Sequence, residues 1–180
     1  AINTRKTAEA AMALGEAEVV ALAVKFFNTY MRATVNGQDV RTAYNVLNQY
    51  RLLAEAALRA GREDVALEIA RRFQYYGQLG FIAGLRFVLE TAAYDLCRLN
   101  ELAFELASPR RGELLGIFLE VDKEAEEGHD LEASLRGVRK AQVKLATFYL
   151  TRGDEAAARV IFDDMRAELP SRLASIRSEL

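Results

Sequence analysis

The sequence predicts an all-α chain of antiparallel helical hairpins, stacked as a short array or folded as a compact helical bundle of seven or eight helices. Three observations carry this. Apolar residues recur three and four apart along almost the whole chain, and strict alternation never persists. Only 2 of the 180 residues are proline, far below the ~5% average, so helix breakers are scarce. Glycines then separate one periodic stretch from the next. With 180 residues, 51% of them hydrophobic, a single domain can bury about 70% of its unfolded surface.

The elements follow in order. Residues 1–37 read as one long N-terminal helix from Thr4 to Val35, loosened at Gly15 and ended by a left-handed stop at Asn36-Gly37. Asp39 caps the first helix of a hairpin over 39–77, which buries Leu47, Tyr50, Ala54 and Ala57 and stops at Gly61. Its second helix carries the stripe Val65, Ala66, Ile69, Ala70, Phe73, Tyr76, closed by Gly77 and Gly80. A central long hairpin spans 81–128, with Gly84 placed for close packing. Within it Ser108 reads as an N-cap and Pro109 as the first helical residue of a helix running into the acidic stretch before Gly128. A last hairpin covers 131–169, first with Leu131, Leu135, Val138, Leu145 and Tyr149. After Gly153 come Ala158, Ile161, Phe162, Met165 and Leu169, then Pro170 and a tail helix over 171–180.

Composition excludes several classes of function. A formal net charge of −2 gives no general attraction to nucleic acid or anionic membrane. No apolar run approaches the roughly 20 residues of a membrane span, because Lys25 and Asn28 interrupt the best stretch, Val19 to Tyr30. With one cysteine, Cys97, the chain makes no internal disulfide and no four-cysteine zinc site. These features, with no secretory signal at the start, suit a cytoplasmic protein or the soluble domain of a larger, membrane-anchored one.

Chemistry-bearing groups are sparse. His129, the only histidine, lies among Glu126, Glu127 and Asp130, without the spacing of a calcium loop. It reads as a solvated helix end. Cys97, amid Tyr94, Leu96 and Leu99, reads as a buried thiol, since a nucleophile needs a base beside it. Phosphate loops, zinc helices and nucleophile elbows are missing, so neither enzyme activity nor a cofactor or metal is expected. The run Arg71-Arg72-Phe73-Gln74-Tyr75-Tyr76 mixes cations with aromatics, but the helical period buries Phe73 and Tyr76. The acidic run from Glu113 to Glu132 reads as a wet helix face.

Two segments share a layout. Leu53-Ala54 precedes Gly61, and Ala66 follows it by five; Leu145-Ala146 precedes Gly153, and Ala158 follows it by five. Small residues there let two antiparallel helices approach, and each glycine turns the chain without a Cβ penalty. The layout resembles the tetratricopeptide repeat. Leu145, Ala146, Tyr149, Gly153, Ala158, Phe162 and Pro170 fit the family's spacing, whereas Met165 departs from it. The earlier segment fits at Tyr50, Leu53, Ala54, Gly61 and Ala66, but has Ala57 and Ala70 where larger residues are common. The two glycines are 92 residues apart, not a multiple of the family's ~34-residue period.

The resemblance implies a concave surface lined by the first helix of each hairpin and receiving a protein or peptide. Its residues here would be Asn48, Arg51, Glu55 and Arg59, then Lys140, Lys144, Thr147 and Thr151. Arg51, Lys140 and Lys144 suit an acidic or carboxylate-bearing segment. Two other readings stand beside this noncatalytic scaffold. A homodimer is suggested by Val19, Val20, Leu22, Ala23, Phe26, Phe27, Tyr30 and Met31, an apolar surface broader than one core needs. A bundle holding a small apolar ligand is suggested by Phe81, Phe87, Tyr94, Phe104 and Phe118.

Overall fold

A computed structural model describes residues 2–37, 39–82, 86–121 and 131–167. Among them lie eight helices and no strand: α1 (Ile2–Leu14), α2 (Ala17–Asn36), α3 (Val40–Arg59), α4 (Glu63–Ile82), α5 (Arg86–Glu105), α6 (Arg111–Leu119), α7 (Leu131–Thr151) and α8 (Glu155–Ala167). The fold is all-α. Each odd helix pairs with the even helix that follows it. The odd helices also touch one another in sequence, α1 to α3 to α5 to α7, and α2 touches α4, which touches α6. The result is two rows of helices, with α5 between α3 and α7.

Four hairpin turns share one construction. In the α3–α4 turn the Arg62 amide donates to the Ala57 carbonyl at 2.8 Å and the Gly61 amide to Leu58 at 3.1 Å. In the α7–α8 turn Asp154 donates to Tyr149 at 2.9 Å and Gly153 to Leu150 at 3.1 Å. The same pair recurs as Glu16 to Ala11 and Gly15 to Met12, and as Ser108 to Ala103 and Ala107 to Phe104. A residue at positive φ makes each turn possible: Gly15, Gly61, Ala107 and Gly153, at φ 78°, 68°, 50° and 80°. These four stand at a constant spacing of 46 residues. The glycines 92 apart are therefore two periods of a four-unit hairpin array, with Ala107 marking the unit between them.

The core repeats with the turns. Leu53, Leu99 and Leu145, each 46 residues from the next, are fully buried, and each contributes about 1.5–3 kcal/mol by leaving water. Ala8, Ala54 and Ala146 are buried on the same faces, and Asn100 takes that position in the third unit. Between the first two units Phe27 stacks on Tyr50 and Tyr50 lies against Phe73, at 5.3 and 5.7 Å between ring centroids. The Tyr50 and Tyr76 hydroxyls donate to the side-chain and main-chain oxygens of Asn28 at 2.9 and 2.7 Å.

Several expectations change. Residues 1–37 form a hairpin, because Gly15 turns the chain fully where only a loosened helix was expected. Gly37 follows α2 at φ −81°, a right-handed conformation and not a left-handed stop. Gly77 does not end α4 but lies within it. A Cβ there would meet the Ala92 Cβ at 3.1 Å, so the glycine serves the close approach of α4 to α5. Asp39 caps α3 as expected, accepting from the Thr42 amide at 3.1 Å. Ser108 does not cap α6. Its hydroxyl accepts from the Arg110 amide at 3.3 Å, Arg110 is the capping residue, and α6 begins at Arg111 and ends at Leu119. The part of the acidic run from 122 to 130, with His129, and the tail over 171–180 lie outside the described residues.

Candidate functional site

The 46-residue period places chemically similar side chains in columns across the odd helices. In one column an arginine reaches the next odd helix: Arg5 Nε donates to Gln49 Oε1 at 2.8 Å, and Arg51 Nε meets Asp95 Oδ1 at 3.3 Å. In a second, a glutamate receives a cation from the next odd helix. Arg98 Nε lies 2.8 Å from Glu55 Oε1, and Lys144 Nζ 3.0 Å from Glu101 Oε1. Arg5 and Arg51 also pair with the glutamates one turn along their own helices, Glu9 and Glu55.

Glu55 is the centre of the densest cluster. Its side chain is only 4% exposed, yet it meets Arg51 and Arg98 through one oxygen and Arg59 through the other, at 3.5 Å for Arg59. Arg51 is used at all three nitrogens, since Nη2 donates to Asn48 Oδ1 at 2.8 Å while Nη1 and Nε hold Glu55 and Asp95. The remaining oxygen of Asp95, Oδ2, is buried and meets no donor in the protein. Burial therefore drives this carboxyl up to about 7, opposed by Arg51 and reinforced by Glu55.

Over Glu55 and Glu101 the cations lie outermost, whereas Glu105 is as exposed as its partner Arg152. Arg59, Arg98, Lys144 and Arg152 have side chains 55%, 58%, 50% and 53% exposed, and each is tied to a carboxylate, Arg152 to Glu105 at 3.5 Å. Between α3 and α5 the cluster opens into a cleft of about 180 Å³ lined by Glu55, Arg59, Arg98, Glu101, Leu102 and Glu105.

Of the sequence-predicted residues, Asn48, Arg51, Glu55 and Arg59 all belong to this cluster. Lys144 joins it through α5. Lys140 is exposed, and the hydroxyls of Thr147 and Thr151 donate to their own helix, at 2.8 Å to the carbonyls of Val143 and Phe148. The two predicted halves lie on α3 and α7, and both of these helices pack against α5. The residues that join them, Asp95, Arg98, Glu101 and Glu105, were missed, together with Arg152. The column Glu9, Glu55, Glu101 was the available signal.

The other marked residues fall into place. Cys97 is buried and donates weakly to Glu101 Oε1 at 3.8 Å. Burial, then the Glu101 charge, pushes its thiol up to about 12, which disfavours a nucleophilic thiolate. Phe73 and Tyr76 are buried while Arg71 and Arg72 are exposed, and Arg71 meets Glu113 at 3.6 Å. Phe118 is buried, and Phe87, Tyr94 and Phe104 pack against the core. Among the described residues no group of histidine, cysteine or carboxylate side chains could hold a metal ion, and no helix is long and apolar enough to cross a membrane. No family model, curated protein or solved structure matches the chain.

Proposed function

We propose that the chain is a noncatalytic scaffold that binds a protein or peptide partner along the α3–α5–α7 face, and that the partner presents an acidic or carboxylate-bearing segment. One observation carries the reading: Arg59, Arg98 and Lys144 are half exposed above the far less exposed carboxylates of Glu55 and Glu101 that hold them in place, so the accessible charge there is positive, while Arg152 stands beside an equally exposed Glu105. The tetratricopeptide-like layout supports it through the shared turns at Gly61 and Gly153 and the buried alanines around them. The resemblance rests on hairpin layout, because the 46-residue spacing exceeds the family's ~34-residue period. A cytoplasmic setting, or a place in the soluble part of a larger protein, suits such a module.

The test is fluorescence anisotropy with a labelled polyglutamate peptide at low salt. Reversing Lys140, Lys144 and Arg152 to glutamate is expected to weaken binding roughly tenfold or more. Polylysine bound as well as polyglutamate, or an unchanged affinity in the variant, refutes the reading. These three positions are preferable to Arg51, whose reversal would place a charge against buried Glu55 and disturb the fold itself.

A second reading, self-association, is favoured by α2. Val20, Ala23, Phe27 and Met31 are buried, but Leu22, Phe26 and Tyr30 form a stripe that is 65%, 44% and 40% exposed. Sedimentation equilibrium with and without Phe26→Ser tests it; a wild-type monomer throughout removes it.

A further inference from the structure

We propose that the cleft between α3 and α5 is a subsite for a single carboxylate on an aliphatic stem, such as a glutamate side chain of the partner, held between Arg59 and Arg98. This rests on the docking face proposed above and names the contact at its centre. Buried Glu55 fastens both guanidinium groups, one on each of its oxygens, so the pair is set side by side before any ligand arrives. A guanidinium has five N–H donors. Arg51 is used at every nitrogen, but Arg98 engages Glu55 through Nε and Arg59 through Nη2, and both side chains remain more than half exposed.

The cleft lining itself holds three carboxylates and two guanidinium groups, but the cluster as a whole carries one surplus positive charge. Glu101 and Glu105 are matched by Lys144 and Arg152. Around Glu55 and Asp95 stand three arginines, Arg51, Arg59 and Arg98, leaving a surplus positive charge even when both acids are ionised. Burial of Asp95, which favours its neutral form, enlarges that surplus. A volume of about 180 Å³ suits one functional group and falls short of the ~300–1,000 Å³ that encloses a small molecule. Leu102 supplies an apolar wall for a methylene stem. Glu101 and Glu105 also line the cleft, so a phosphate dianion meets more repulsion than a carboxylate does.

The experiment follows the arginine Nε–H signals by NMR at low salt while a blocked Gly-Glu-Gly peptide is added. The Arg59 and Arg98 signals are expected to shift saturably, and the Gly-Gln-Gly peptide to leave them unmoved. Inorganic phosphate should bind more weakly. Arg98→Gln and, separately, Arg59→Gln should each cost roughly fivefold in affinity, the upper range for a half-exposed ion pair, with unchanged circular dichroism. No saturable shift, an equal response to the glutamine peptide, or tighter binding of phosphate overturns the assignment. Polyglutamate affinity that survives Arg59→Gln and Arg98→Gln, yet falls on reversing the α7 charges, removes the subsite and leaves the docking face standing.

Discussion

The α3–α4 and α5–α6 turns make the same hydrogen bonds with different residues. Gly61 holds the left-handed position in one and Ala107 in the other, at φ 68° and 50°. After Gly61, α4 starts at once, with Ala66 donating to Arg62 at 3.2 Å; after Ala107 the matching bond comes two residues later, from Leu114 to Arg110 at 3.3 Å. Yet α6 still buries Leu114, Ile117 and Phe118 on one face. The difference teaches that burial across the hairpin, more than the glycine, fixes the turn. The third unit accepts a strained alanine and a shifted helix because its inner face still packs.

What replaces the small-residue contact in that unit is a polar anchor. Asn100 stands where Ala54 and Ala146 stand in the neighbouring units. Its Nδ2 donates to the carbonyls of Leu96 at 2.9 Å and Leu114 at 3.2 Å, and its Oδ1 accepts from the Tyr149 hydroxyl at 3.4 Å. Asn100 thus ties α5 to both α6 and α7. Asn100→Ala, though it installs the residue both neighbours use, is expected to lower stability by about 1–3 kcal/mol in urea unfolding, because it strands buried partners. Unaltered stability would make the units interchangeable at this position.

The turns themselves allow a smaller test. Gly61→Ala and Gly153→Ala should each cost roughly 1–2 kcal/mol, the price of a Cβ in the left-handed region. Nothing lies within 4 Å of the added atom at either site, so the cost is backbone strain alone. Ala107→Gly should move the other way, gaining up to about 1 kcal/mol, less whatever the freer unfolded chain takes back. A loss at Ala107→Gly would show that the third turn is built for alanine.

This contrast also explains how far the sequence could be read. The helical period and the two glycine-marked hairpins were legible because Gly61 and Gly153 keep the usual turn residue and Ala54, Ala66, Ala146 and Ala158 keep the small contacts. The third unit was hidden by Ala107, Asn100 and the two-residue slip after Pro109, each of which departs from the pattern locally while preserving packing. In the first unit Gly15 was visible, but as a loosening within one long helix and not as a turn. Arg51 and Glu55 were legible as facing residues. Their partners on α5 were not, since helix periodicity tells which side is buried and not which helix lies opposite.

Gln49 and Asp95 stand 46 residues apart, and each receives an arginine from the preceding odd helix. Gln49 does so without ionising, whereas Asp95 is raised to about 7, first by burial and then, against Arg51, by Glu55. The folded state therefore holds this proton more tightly than the unfolded chain, whose aspartate titrates near 3.8. Its contribution is full below that value, declines as pH rises toward 7 and is gone above it. Thermal unfolding should thus show a falling Tm over this window, superimposed on the other carboxylates. Asp95→Asn, which gives the third unit the neutral amide of the second, should flatten that fall while Gln49→Ala leaves it in place. A slope unchanged in Asp95→Asn would mean that Asp95 stays ionised beside Arg51, and that the surplus positive charge of the cleft comes from the three arginines alone.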